Sequence, residues 1–306
     1  MTPNAAPAIQ DLGQLDGALL IFGGVDGNLD ALEALLKFAA ERGIPFTRMI
    51  YTGSVAPFCA EPVACAQQFA ELGIAAVKGS FEVDAPQLAQ GAGVVDLSEM
   101  VAPGWKRILE DGLPPELADW MEALPAELVF SLGGYTFRVV HGGVTSMEKL
   151  LFRSSAGPAF QPELSVSTTD VVIAGRSGLP FTRLFSASDG PGQAWHNPGS
   201  LGLPPNDGTP RVWASMVRSA SSGLVFDHMP IAYDHRTAAN RLRRQCGDEV
   251  FSRWIESGLW PSLDDLPQGE RRRRGKPIEP HRVTFGLGDE RTQERPEARS
   301  CDGNLA

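Results

Sequence analysis

A chain of 306 residues with 42% hydrophobic side chains is long enough to bury a large core, either as one large domain or as two small ones. Its net charge of -10 argues against binding to duplex DNA, because an acidic protein repels the phosphate backbone. The apolar run at 17–24 is too short for a membrane span or a signal peptide. Four cysteines without a C-x-x-C pair indicate reduced thiols, no structural zinc site and a cytoplasmic location.

The first part of the chain predicts strands that alternate with helices. Residues 1–16 have the composition of a loose leader, and the apolar run Ala18–Phe22 is typical of a strand that is buried on both faces. Leucines at helical spacing predict a helix over 28–43. The same alternation continues with a strand at 48–52, a helix at 61–72 and a strand at 74–78. Strands separated by helices favour right-handed βαβ units in a parallel sheet.

The second part predicts a separate, more antiparallel sheet. A helix at 114–124 precedes a hairpin of 128–131 and 135–140. Short strands divided by Gly and Pro turns are predicted at 171–174, 184–186, 193–196, 211–217 and 223–228. A helix at 237–257 ends the folded domain, which we predict to span 17–262. Residues 263–306 are rich in Pro, Gly and charge, which predicts a disordered tail; its Arg271–Arg274 run is either solvated or a contact for a partner.

Several short stretches carry a resemblance to a known family. The turn Gly23-Gly-Val-Asp-Gly-Asn-Leu29 resembles the D-x-H-G-N turn of the calcineurin-like metallophosphoesterases, in their small prokaryotic phosphodiesterase branch. The segment His196-Asn-Pro-Gly-Ser-Leu-Gly-Leu-Pro204 matches that family's N-P-G-S-x-G-x-P almost letter for letter. Four further stretches that resemble motifs of this family lie between these two, in the family's order, and begin at Met49, Ala76, Phe137 and Val171. The resemblance implies an α/β fold, a four-layer α/β/β/α sandwich of two mixed sheets flanked by helices.

The positions at which this family binds two metal ions mostly carry other residues, namely Gly24, Asp26, Ser54, Ser80, Arg176 and Gly178. In the stretch that begins at Phe137, His141 is still the histidine of the family's H-G motif. In the stretch that begins at Ala76, Glu82 keeps the family's acidic residue. A neutral serine hydroxyl supplies no charge with which to bridge two cations. Arg176 stays protonated in a protein and would repel a metal ion.

These substitutions predict a degenerate metallophosphoesterase-like protein that lacks the dinuclear metal centre, uses no cofactor and acts as a ligand-binding or regulatory pseudoenzyme. We expect its ligand to be a phosphorylated small molecule or a protein partner. No catalytic residue is expected, and the candidate pocket residues are Asp26, Asn28, Ser54, Ser80, Glu82, His141, Arg176 and Asn197.

Two other functions remain open on the sequence alone. The protein could be an active phosphodiesterase or phosphatase with a rebuilt site for one divalent metal, Mn or Zn, held by Asp26, Glu82 and His141. It could also be an interaction protein that uses its arginine-rich tail.

A buried arginine needs an anionic partner, and we predict that Arg176 pairs with Asp26 or Glu82. Each candidate residue also has a purely structural interpretation. Arg176 would then be a solvent-facing loop residue, Asp26 a turn residue or helix N-cap, and His141 a hydrogen-bonded core histidine. Asn197 would cap a turn, and Ser54 and Ser80 would be small polar residues that fill space.

Overall fold

The computed structural model describes residues 9–56, 58–83, 114–186, 192–286 and 295–296. Its strands are β1 (Ile9–Leu15), β2 (Leu19–Phe22), β3 (Met49–Tyr51), β4 (Ala75–Ala76), β5 (Glu127–Leu132), β6 (Tyr135–Val140), β7 (Val171–Ala174), β8 (Phe181–Phe185), β9 (Gln193–Asn197), β10 (Val212–Ala220), β11 (Gly223–Ile231), β12 (His281–Phe285) and β13 (Arg295–Pro296). Its helices are α1 (Leu29–Glu41), α2 (Pro62–Leu72), α3 (Pro115–Ala123), α4 (Gly157–Ser167), α5 (His235–Cys246), α6 (Glu249–Ser257) and α7 (Gln268–Arg271).

The strands form two mixed sheets. A six-stranded sheet has the order β1-β5-β6-β7-β9-β8, and a seven-stranded sheet has the order β13-β12-β11-β10-β2-β3-β4. The predicted parallel strands β2, β3 and β4 are parallel, but β10 pairs with β2 in antiparallel orientation. The predicted strands that correspond to β5–β9 do form a second sheet, as expected. The later strands β10 and β11 instead extend the sheet of β2, β3 and β4, and the prediction that these two belong to the separate sheet is wrong.

Four layers follow from the alternation of side chains along each strand. In β2, Leu19 and Ile21 lie in the core between the two sheets, whereas Leu20 and Phe22 lie in the core that includes α1 and α2. On the other sheet, Phe160 of α4 packs with Trp195 in a third core. The sheets are thus packed face to face with helices outside them, which confirms the predicted four-layer α/β/β/α fold.

Ordered structure extends beyond both predicted ends of the domain. Residues 9–15 of the predicted leader form β1, which pairs in parallel with β5. In the predicted disordered tail, Leu266 is buried and β12 pairs with β11. The sequence does not predict order in either segment, because each buries few side chains and is held largely by backbone hydrogen bonds to a neighbouring strand. Residues 1–8, 287–294 and 297–306, with Cys301, lie outside the described residues.

The single helix predicted over 237–257 is two helices. Gly247 adopts a left-handed φ of 66° that ends α5. Asp248 then caps α6 by accepting a hydrogen bond from Phe251 N at 2.8 Å. Within the described residues, none of the helices combines the length and the apolar character needed to cross a lipid bilayer.

Candidate functional site

The loops that follow strands of both sheets meet at one place. The loop after β2 is hydrogen-bonded to the loop after β3, because Val25 N donates to Ser54 O at 3.1 Å. The loop after β6 bonds the loop after β7, since Arg176 N donates to His141 O at 2.8 Å. His141 Nδ1 lies 2.8 Å from Thr52 O and joins the two groups of loops. Within each sheet the two strands are parallel, so their carboxyl ends lie at the same edge, and the packing of the two sheets brings the two groups of loops together.

Glu82 is the hub of the buried part of this site. Its carboxylate accepts hydrogen bonds from Val55 N at 2.6 Å, Gly79 N at 2.8 Å and Ser54 N at 3.1 Å. Burial raises the pKa of Glu82, and the hydrogen bonds from these amides oppose that rise. The carboxylate therefore holds the loops after β3 and β4 together.

Asp26 is buried in a strained backbone conformation, with a left-handed φ of 53°. Its Oδ1 lies 3.0 Å from Ser54 Oγ, which also lies 3.0 Å from Ala56 O. A hydroxyl has a single proton, so Ser54 satisfies both acceptors only if Asp26 is protonated and donates to Ser54. Burial, opposed by the hydrogen bond with Ser54 and assisted by the charge of Glu82, raises the pKa of Asp26 from 3.8 to about 7.

His141 is buried and has one hydrogen-bond partner among the described residues. Because Thr52 O can only accept, the Nδ1 atom carries the proton and the Nε2 atom keeps its lone pair. Burial, opposed by the hydrogen bond to Thr52 and assisted by the nearby Arg176 charge, lowers the pKa of His141 from 6.5 to about 4. The imidazole is therefore neutral at neutral pH.

Arg176 forms its ion pair with Glu148, and the predicted pair with Asp26 or Glu82 is wrong. Its Nη1 donates to Ser80 Oγ, and Ser80 Oγ donates to Glu148 Oε1 at 2.7 Å. Asp26 and Glu82 have nearer donors in hydroxyls and backbone amides, so neither needs the guanidinium. Glu148 is a site residue that sequence reasoning missed, since it lies in a loop without any periodic pattern.

The two asparagines of the candidate set have structural partners. Asn28, and not Asp26, is the N-cap of α1, and its Oδ1 accepts from Ala31 N at 3.2 Å. Its Nδ2 donates to Gly202 O at 2.8 Å. Asn197 caps a turn by accepting from Gly199 N at 2.8 Å, and its Nδ2 donates to Ser177 Oγ at 2.9 Å. Both residues hold loops at the rim of the site.

The residues present do not fit a pair of metal ions. A Cβ at Gly24 would lie 2.9 Å from Asp26 Oδ2, so a side chain at that position would require Asp26 to shift. The Glu82 oxygens are directed at backbone amides, and Ser54 offers a neutral oxygen. Two-metal sites need several anionic or imidazole ligands free to face the ions, whereas the carboxyl groups of Asp26 and Glu82 are engaged in hydrogen bonds within the protein.

No protein-family model and no curated protein matches the sequence. Solved structures do match the fold. A metallophosphoesterase from Sphaerobacter thermophilus aligns with a TM-score of 0.62 at 19% identity and covers 80% of this chain and 100% of its own. The hypothetical protein PH1004 from Pyrococcus horikoshii OT3 aligns with a TM-score of 0.63 at 14% identity and covers 79% and 99%. These likenesses, together with the two mixed sheets, show that the chain has the fold of the calcineurin-like metallophosphoesterases.

Proposed function

We propose that this protein is a ligand-binding or regulatory pseudoenzyme built on the metallophosphoesterase fold, and that it works without a dinuclear metal centre. The observation that carries the proposal is the set of three backbone amides around the Glu82 carboxylate. In this arrangement, hydrogen bonds within the chain hold together loops that we expect a metal cluster to hold in an active metallophosphoesterase. The ligand class that suits the remaining Arg176 cation is an anionic, phosphorylated small molecule.

Metal loading tests the proposal. The full chain is incubated with excess Mn or Zn, desalted and measured by elemental analysis, and hydrolysis of bis-p-nitrophenyl phosphate is followed in parallel. We expect well under one ion per chain and no turnover above buffer. Two ions per chain together with turnover would overturn the proposal. The variant His141→Ala is the control, because a metal that binds at this site loses a ligand in it.

One observation favours a second function, a hydrolase with a single divalent ion. His141 donates its Nδ1 proton to a backbone carbonyl and keeps Nε2 as a lone pair, which is the common arrangement of a metal-binding histidine. Asp26 and Glu82 would complete the ligand set, at the cost of their present hydrogen bonds. One ion per chain that is lost in His141→Ala, with turnover that is lost alongside it, would establish this alternative.

We also propose a reducing, cytoplasmic location. Cys59 and Cys65 are buried free thiols, which supports it. Cell fractionation tests this proposal, and recovery of the protein from the membrane or an oxidising compartment would contradict it.

A further inference from the structure

Arg176 and Ser80 together hold one carboxylate at the edge of the site. Ser80 Oγ donates to Glu148 Oε1 at 2.7 Å, and Arg176 Nη2 pairs with Glu148 Oε2. Arg176 Nη1 donates to the oxygen of the same serine, so the serine proton is left to point at Glu148. Two donors on separate loops therefore converge on a single oxyanion.

Glu148 uses only part of what the guanidinium offers. It contacts Nη2, whereas Nε of Arg176 is buried and donates to no acceptor among the described residues. A guanidinium binds phosphate and carboxylate best through two parallel N–H bonds. The present pair therefore leaves one strong donor without a partner.

Glu148 is kept close to Arg176 but is weakly held. The loop before and after it is anchored by the buried Glu163, which accepts from Thr145 N at 2.8 Å and pairs with Lys149 Nζ at 3.0 Å. The Glu148 side chain itself is 59% exposed. Exposed ion pairs contribute little to stability, because water solvates the separated charges nearly as well. The carboxylate can leave the site while its backbone stays in place.

We propose that Arg176 and Ser80 bind the phosphate group of a small ligand, and that Glu148 occupies this site as a built-in competitor when the ligand is absent. The inference rests on the proposed metal-free binding function and names the ligand group. A tethered carboxylate has a high effective concentration, so a free carboxylate competes with it poorly. A phosphate carries more oxygens and up to two negative charges, and it can engage Arg176 through two N–H bonds. The neighbouring anion Glu82 opposes binding less than a bare charge would, because three amides face it.

Calorimetric titration of metal-free full-length protein tests this inference, with inorganic phosphate, adenosine monophosphate and glutarate as probes. Glu148→Gln keeps the size of the side chain and removes its charge, and we expect phosphate to bind roughly fivefold tighter to it than to the unchanged protein. Arg176→Gln should weaken phosphate binding at least roughly tenfold. The matched control is Glu256→Gln, because Glu256 is also partly exposed and paired with an arginine, Arg243, on another surface. Its affinity should equal that of the unchanged protein, and thermal unfolding verifies that each variant is folded.

Four results would overturn the inference. They are absence of phosphate binding in both the unchanged protein and Glu148→Gln, equal affinity in those two proteins, undiminished affinity in Arg176→Gln, and tighter binding of glutarate than of phosphate. If these occur in protein that stays free of metal, the proposal of a pseudoenzyme without a dinuclear metal centre stands, and only its phosphorylated ligand is lost. Phosphate binding that requires two Mn or Zn ions per chain would instead overturn the proposed function, and this inference with it.

Discussion

Glu82 and Glu148 are both carboxylates of the candidate site, but one is buried among backbone amides and the other is exposed beside an arginine. Glu82 is 1% exposed and bonds three amides of two loops, whereas the Glu148 side chain is 59% exposed and bonds two side chains. Amides of the backbone cannot move without moving the loop, so Glu82 acts as an architectural group. Side-chain partners in contact with water can be exchanged for a ligand. The buried half of the site thus maintains the fold, and the exposed half is the part to which we assign ligand recognition in our proposal.

The substitution Glu82→Gln should have the largest effect. It replaces one acceptor oxygen by an NH₂ donor that faces backbone N–H groups, and it removes the negative charge from the remaining bonds. We expect the free energy of unfolding to fall by roughly 4 kcal/mol, as for other buried carboxylates that lose charged hydrogen bonds. Urea denaturation measures this change. A loss below about 1 kcal/mol would show that Glu82 is not the hub of these loops.

The substitution Asp26→Asn should change the pH dependence of stability. The folded-state pKa is raised from 3.8 to about 7, so between these values the native state keeps a proton that the unfolded state has released. The stability of the unchanged protein should therefore fall as pH rises from about 4 to about 7.

Asn copies the neutral acid and tolerates the positive φ of this position. At pH 8 the variant should be more stable by on the order of 3 kcal/mol, with no difference near pH 4. Urea unfolding across this pH range measures both. Parallel pH profiles for the two proteins would contradict a protonated Asp26.

The substitution His141→Asn should change the loss of stability at acidic pH. The folded-state pKa is lowered from 6.5 to about 4, so the unfolded chain binds a proton that the native state excludes, and stability is lost as pH falls through this window. An asparagine amide can still donate to Thr52 O. We expect a cost of about 1 kcal/mol at pH 8 from lost packing and a flatter acid limb. If the free energy of unfolding of the variant falls as steeply at acidic pH as that of the unchanged protein, groups other than His141 cause this loss of stability.

The substitution Glu148→Gln should have the smallest effect on folding. The pair with Arg176 is exposed, and such pairs contribute about 0–1 kcal/mol. We expect the free energy of unfolding to change by less than about 0.5 kcal/mol in the same urea experiment. The chemical change is the one made at Glu82, so the difference between the two variants measures what burial among amides adds. Effects of similar size at both positions would remove the distinction between the two halves of the site.

Part of the candidate site follows from the order of strands within each sheet. Asp26 and Ser54 come shortly after the parallel strands β2 and β3, and His141 and Arg176 come shortly after the parallel strands β6 and β7, so each pair lies at one edge of its own sheet. That the two pairs face each other is decided by the packing of the two sheets. Their partners do not follow in the same way. Glu148 lies in a loop whose position depends on Glu163 of α4, a helix that sequence patterning did not predict. The bonds to Glu82 come from backbone amides, which every residue possesses and which therefore leave no mark on the sequence.

The sequence by itself determined the alternation of strands and helices and the two buried faces of β2, because these depend on local spacing and on the chemistry of single side chains. The tertiary structure alone decided that Arg176 pairs with Glu148 and that β1 and β12 complete the sheets. The physical reason is that a charge or a strand edge pairs with the complementary group that the packed layers bring within hydrogen-bond distance. That distance is set by the whole fold and not by separation along the chain.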